Sequence, residues 1–109
     1  MTAVKVVILQ SAEMDLKSLR RYIVKNFGAS VWQASYVQIK NNINALKKYP
    51  LSGTTPDELE QLNLFQFRQV ISGMNRIVYE IRDEIIYIHL ICDTRRELQG
   101  LLTRRLLRS

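Results

Sequence analysis

Five arginines crowd the end of this 109-residue chain: Arg95, Arg96, Arg104, Arg105 and Arg108. Guanidinium groups hold phosphate and carboxylate through paired, charge-assisted hydrogen bonds, so such a cluster points to an anionic target. Arg96, Arg104 and Arg108 fall at steps of four through Gly100, and on a helix they draw one stripe that Arg105 widens. A solvated helix face accounts equally well for Arg104, Arg105 and Arg108, because cations suit the C-terminal end of a helix dipole. It does not account for Arg95 and Arg96. Their place in a first helical turn is unfavourable for positive charge by roughly 0.3–1 kcal/mol each. Those two are expected to meet an external anion, an acidic partner, Asp93 or Glu97.

Other reactive residue types are sparse. His89 is the one histidine and Cys92 the one cysteine. A single cysteine excludes an intrachain disulfide, and one Cys with one His cannot build a zinc site. No metal and no cofactor is expected, and the thiol suits a reducing cytoplasm. A net charge of +6 favours nucleic acid or an acidic protein segment as partner. The run at residues 6–9 is too short to span a membrane, and no sorting signal is visible. One domain over residues 1–109, with one modest core, is expected from the length.

The elements that must position these groups follow from periodicity. Residues 4–9 are β-branched and read as a strand. Ser11 offers an N-cap, with Glu13 and Asp15 in the first turn. Leu16, Leu19, Ile23 and Phe27 then recur at helical spacing over residues 12–27. Gly28 is a stop, and Ser30 with Gln33 reads as a capping box for a second helix over 31–48. Its seam is Trp32, Tyr36, Ile39, Ile43 and Leu46. Residues 49–63 read as a loop with one helical turn after Pro56. Strands at 64–72, 75–81 and 85–92, joined by short turns, make an antiparallel meander. On the last, Ile86, Ile88, Leu90 and Cys92 are expected to face the core. Ile85, Tyr87, His89 and Ile91 are expected to face a groove or partner. Thr94 and Glu97 read as a capping box for a C-terminal helix with Leu98, Leu101, Leu102 and Leu106 inward. Trp32 and Tyr36 are more simply core, Arg76 a brace for the turn it follows, Tyr79 core and Cys92 a small buried hydrophobe. The order β-α-α-β-β-β-α, with segregated helices and a mainly antiparallel sheet, is an α+β fold.

This order resembles the ParE/RelE superfamily of type II toxin–antitoxin toxins over nearly the whole chain. The local match is Ser72-Gly-Met-Asn-Arg-Ile-Val-Tyr-Glu-Ile81, then the apolar last strand and Thr94-Arg-Arg-Glu-Leu98. RelE-type members cleave mRNA on the ribosome. They activate a ribose 2′-OH, protonate the leaving oxygen and neutralise the phosphorane charge. Arg95 matches the arginine that follows the last strand in those members, and with Arg68 and His89 it makes the set for that alternative, which would use an atypical base. Yet no tyrosine or histidine follows Arg95, and Asp57, Glu58 and Glu60 precede the second strand. These departures look more like the ParE branch, which poisons DNA gyrase without a catalytic site of its own. The resemblance then implies target contact through Arg95, Arg96, Arg104, Arg105 and Arg108. It also implies an antitoxin whose acidic, disordered tail orders on binding into a hetero-oligomeric complex. Leu19, Tyr22, Ile23, Trp32, Tyr36 and Ile39 are the expected antitoxin contacts.

Overall fold

The computed structural model describes residues 5–108. The strand β1 spans Lys5–Ile8, and the expected first strand residue, Val4, lies outside the described residues. The helices α1 (Gln10–Phe27) and α2 (Ala29–Ala45) form the hairpin. A single turn, α3 (Asp57–Glu60), follows Pro56 in the long loop. The meander is β2 (Phe67–Ser72), β3 (Asn75–Arg82) and β4 (Ile85–Asp93), and α4 (Leu98–Arg108) closes the chain. The element order and α+β class are those expected.

Turn chemistry sets the meander. Gly73 takes φ +61 between β2 and β3. Asp83 and Glu84 take φ 52 and 64 between β3 and β4, the double left-handed geometry that matches strand twist in a two-residue hairpin. The sheet order is β1-β4-β3-β2; β1 runs parallel to β4 and the other pairs are antiparallel.

The helix starts depart from the expected caps. Leu9 occupies the cap position of α1 and Gly28 that of α2, with no side-chain cap bond at either. Ser11 and Ser30 therefore lie inside the helices. Gly28, at φ +98, donates its N–H to the carbonyls of Ile23 and Val24 and so ends α1 while starting α2. A β-carbon there would force an L-residue into that conformation.

Both faces of the sheet are covered. The hairpin side is packed with Ala12, Ile39, Ile43, Leu46, Ile77, Tyr79, Ile86, Ile88 and Ile91. The other side is packed with Leu59, Phe67, Val78, Leu90, Cys92, Leu98 and Leu102, which seat α3 and α4. Each fully enclosed Ile or Leu contributes roughly 1.5–3 kcal/mol.

Candidate functional site

The site begins with an irregularity in β4. Val78 pairs with Leu90 and Tyr79 with Ile88, so His89 has no partner on β3. It is the extra residue of a β-bulge, and a bulge re-aims the side chains that follow it. Ile86 and Ile88 lie in the hairpin-side core, whereas Leu90 and Cys92 lie in the opposite one, and Ile91 returns to the hairpin side. The expected single face of Ile86, Ile88, Leu90 and Cys92 is thus broken after Ile88, because strict alternation does not survive an inserted residue. His89 itself is buried. Its Nε2 lies 2.9 Å from Glu80 Oε1, and its ring meets Phe67 edge-on at 5.1 Å. A carboxylate only accepts, so the ionised Glu80 requires the proton on Nε2.

The strand β1 ends its pairing at Ile88, with Leu9 N–H donating to the Ile88 carbonyl. Beyond that point the edge of β4 is completed by side chains. Asp15 Oδ2 accepts the Ile91 N–H at 3.0 Å. Arg105 Nη1 donates to the His89 carbonyl at 2.6 Å. The two side chains join each other, Arg105 Nη2 to Asp15 Oδ1 at 2.9 Å. Asp15 on α1 and Arg105 on α4 thereby replace a missing strand segment and satisfy backbone groups that burial would otherwise orphan. Periodicity gave no sign of this role, since Asp15 fits a first-turn acid and Arg105 a surface stripe.

Above this bracket lies a groove of about 560 Å³ between α1, the end of β4 and α4. Leu19, Tyr22, Leu90, Ile91 and Leu101 give it apolar walls, and Arg95 and Arg96 stand at its rim. The turn after β4 orders that rim. Asp93 accepts the Arg95 backbone N–H at 2.8 Å and grips the Arg95 guanidinium at both oxygens, 2.9 Å each. These bonds hold the Asp93 carboxyl below its ordinary pKa, the Arg95 side chain contributing most. The same pairing, with Tyr22 adding to it, raises the Arg95 pKa.

Helix α4 starts at Leu98, later than the expected Thr94 cap. Glu97 is the capping side chain; both its oxygens accept the Gly100 N–H, at 2.9 and 2.8 Å. Arg95 and Arg96 therefore lie in the turn ahead of the helix, and the expected conflict with the first-turn dipole does not arise. Arg95, Arg96 and Arg104 are exposed, whereas Arg105 is held in the bracket. The Arg108 side chain lies outside the described residues.

The three residues of the mRNA-cleaving alternative are not assembled. Arg68 pairs with Tyr79, a hairpin-side residue, and directly paired residues share a face. There Arg68 donates to the Gly53 carbonyl at 2.6 Å and to Leu51 at 3.4 Å, fastening the loop before α3. His89 sits with Glu80 and Phe67 on the opposite face. Arg95 stands in the turn beyond β4. Tyr79 fastens the same loop as Arg68: its hydroxyl donates to the Pro50 carbonyl at 2.7 Å and accepts the Gly53 N–H at 3.0 Å. Burial pushes this phenol's pKa up.

Arg76 is the brace expected of it. It is buried, donating to the Thr94 carbonyl at 2.7 Å and to Gln69 at 3.2 Å, with Glu58 at 3.6 Å. It ties β2, α3 and the turn carrying Arg95 into one unit. Cys92 is buried, and burial pushes its thiol up to about 11, so it is a poor nucleophile at neutral pH. Among the described residues no three His, Cys, Asp or Glu side chains converge as a metal site requires, and no helix is long and apolar enough to cross a membrane.

The expected antitoxin contacts divide. Ile39 is fully enclosed in the seam of the hairpin, and Ile23 and Trp32 are buried there with only 7% of their surface exposed, so they offer little for a partner to touch. They close that seam because the helices pack on each other and on the sheet. Tyr36 is partly covered and stacks on Trp32 at 5.4 Å. Leu19 and the exposed Tyr22 line the groove.

A family model described as the ParE toxin of the type II toxin–antitoxin system parDE matches residues 6–98. The toxin–antitoxin complex RelBE2 from Mycobacterium tuberculosis contains a chain of similar fold. Identity is 22%, the TM-score is 0.55, and the match covers 85% of this chain and 99% of that one. Among curated proteins none matches the sequence. A match over residues 6–98 runs from the second residue of β1 to the first residue of α4, and the chain belongs to the ParE toxin family of type II toxin–antitoxin systems.

Proposed function

We propose that this toxin inhibits DNA gyrase by stabilising the cleaved-DNA complex. The observation that carries the reading is the division of Arg68, His89 and Arg95 between the two sheet faces and the turn beyond them. General acid–base cleavage of RNA needs such groups within hydrogen-bond reach of one phosphate. What remains at the end of β4 is a binding surface: Arg95, Arg96 and Arg104, exposed beside an apolar groove. A poison of this kind needs no nucleophile. It needs differential affinity of a few kcal/mol for one state of its target. Arg96 and Arg104 are its principal charged contacts.

The same groove supports neutralisation by an antitoxin. Its apolar walls and arginine rim suit a peptide that alternates acidic and apolar residues and orders on binding. Such a peptide would cover Arg95 and Arg96 and so block the target surface. Incubating gyrase, supercoiled plasmid and ATP with this chain tests the reading. Linear DNA should accumulate after detergent and protease treatment, and Arg96→Glu with Arg104→Glu should abolish it in a folded protein. Full accumulation by that variant would refute the assignment of the arginines.

A further inference from the structure

The basicity of the chain is not where its arginines are most crowded. Residues 16–56 hold Lys17, Arg20, Arg21, Lys25, Lys40, Lys47 and Lys48 and not one acid. From residue 57 onward eight acids balance eight cations. Residues 16–56 thus carry seven cations with no acid among them, while Glu13 and Asp15 lie at the start of α1.

The two sets of cations also differ in their surroundings. In the sheet half and α4, Arg76, Arg82, Arg95 and Arg105 each have a carboxylate partner, whereas, among the described residues, Arg68, Arg96 and Arg104 make no ion pair. Among the described residues, none of the hairpin cations makes an ion pair. All seven are exposed. Lys17, Arg20, Arg21 and Lys25 stand on the outer side of α1, opposite the buried Ala12 and Ile23, and with Val24 they line a depression of about 420 Å³. Glu13, one turn before Lys17, is the acid nearest in sequence on that side.

We infer that the outer face of the hairpin binds the phosphate backbone of duplex DNA. Like charges gathered without partners repel one another, and a polyanion relieves that repulsion. Lys17 to Lys25 spans about 12 Å of helix. A duplex presents roughly one negative charge per 1.7 Å of axis, so several phosphates face that length. An acidic peptide that orders on binding needs apolar pockets between its charges, and Val24 is the lone apolar residue lining the depression. Long, flexible cations tracking an evenly charged backbone need no pocket. This inference rests on the gyrase reading for its occupant, because a gyrase–DNA complex is where the toxin would meet duplex.

The test is fluorescence anisotropy of the full chain with a labelled duplex over a salt series. The slope of log affinity against log salt should fall by about 0.9 per phosphate contacted, and the triple variant Lys17→Ala, Arg21→Ala, Lys25→Ala should make it shallower by about 3. Alanine favours helix, and circular dichroism checks the fold. A second variant in the turn after α2, Lys47→Ala with Lys48→Ala, should weaken binding on its own. Arg82→Ala, which removes an exposed cation already paired with Glu80, should leave the slope unchanged. An unchanged slope in both hairpin variants would overturn the inference. So would tighter binding of RNA than of duplex, or displacement by polyglutamate at equal charge. Gyrase cleavage measured separately keeps the two readings apart. Trapped cleavage without hairpin-dependent duplex binding sinks this inference alone, and duplex binding without trapped cleavage sinks the gyrase reading alone.

Discussion

Asp15 and Arg105 lie ninety residues apart in sequence, and their side chains meet at 2.9 Å. Between them they complete the edge of β4 at His89 and Ile91, where β1 has already ended. The pair fixes α4 to the sheet and so sets where the neighbouring Arg104 and the groove wall stand.

Arg105→Ala should therefore act on stability first. It strands a carboxylate that keeps 17% of its side-chain exposure and leaves the His89 carbonyl without its donor. Breaking one side of a largely buried pair costs about 3–5 kcal/mol, and residual exposure puts this case at the lower end. Urea denaturation of Arg105→Ala, Asp15→Ala and the double variant should show the double costing clearly less than the sum. Strict additivity would mean the two side chains do not act as a unit.

The loop before α3 hangs on Tyr79. Tyr79→Phe removes the partner of both the Pro50 carbonyl and the Gly53 N–H, at a cost of about 1–3 kcal/mol. Gly53→Ala should be no milder. Its β-carbon would lie 2.5 Å from the Gln69 carbonyl oxygen and 2.6 Å from the Tyr79 hydroxyl. Thermal denaturation of both checks this; a Gly53→Ala protein as stable as the parent would show that the loop shifts freely.

His89 separates structural from catalytic use of the bulge. His89→Gln loses the ring contact with Phe67 and the geometry of the Glu80 bond, so stability should fall by about 1–3 kcal/mol. Growth inhibition should persist at a temperature where the variant is folded. Loss of inhibition in a folded His89→Gln protein would return the histidine to the chemistry.

The turn carrying Arg95 should weaken in acid. The folded-state pKa of Asp93 is lowered by Arg95, so its contribution is complete above the ordinary carboxylate range. It is lost as pH falls from that range through the lowered folded value. Asp93→Asn should flatten that limb of the stability–pH curve. A curve of unchanged shape would show that the clasp contributes nothing.

Much of this fold was legible because local signals agreed with one another. The short turn before Ile85, the Gly28 stop and the leucine face of α4 were all readable, and each occurs where expected, the turn one residue tighter because β3 runs on to Arg82. The bulge was not legible, since nothing in Ile85 to Asp93 marks His89 as the extra residue; a period of two carried through it put Leu90 and Cys92 on the wrong face. Ser11, Ser30 and Thr94 resemble caps, yet Leu9, Gly28 and Glu97 hold those places because strand pairing and hairpin geometry fix where the helices begin. The candidate site suffered most where charges pair over long range. Arg105 reads as one more arginine on a stripe until Asp15 is seen beside it. The hairpin's charge, by contrast, is written in the sequence as the absence of any acid from residue 16 to 56.

The most direct measurement gives one preparation of folded toxin two substrates in parallel: gyrase with supercoiled plasmid and ATP, and ribosomes translating a labelled message. The expected result is linear plasmid in the first reaction and intact message in the second. Cleaved message with plasmid supercoiling unaffected would contradict the gyrase reading and require Arg68, His89 and Arg95 to act together despite their separation.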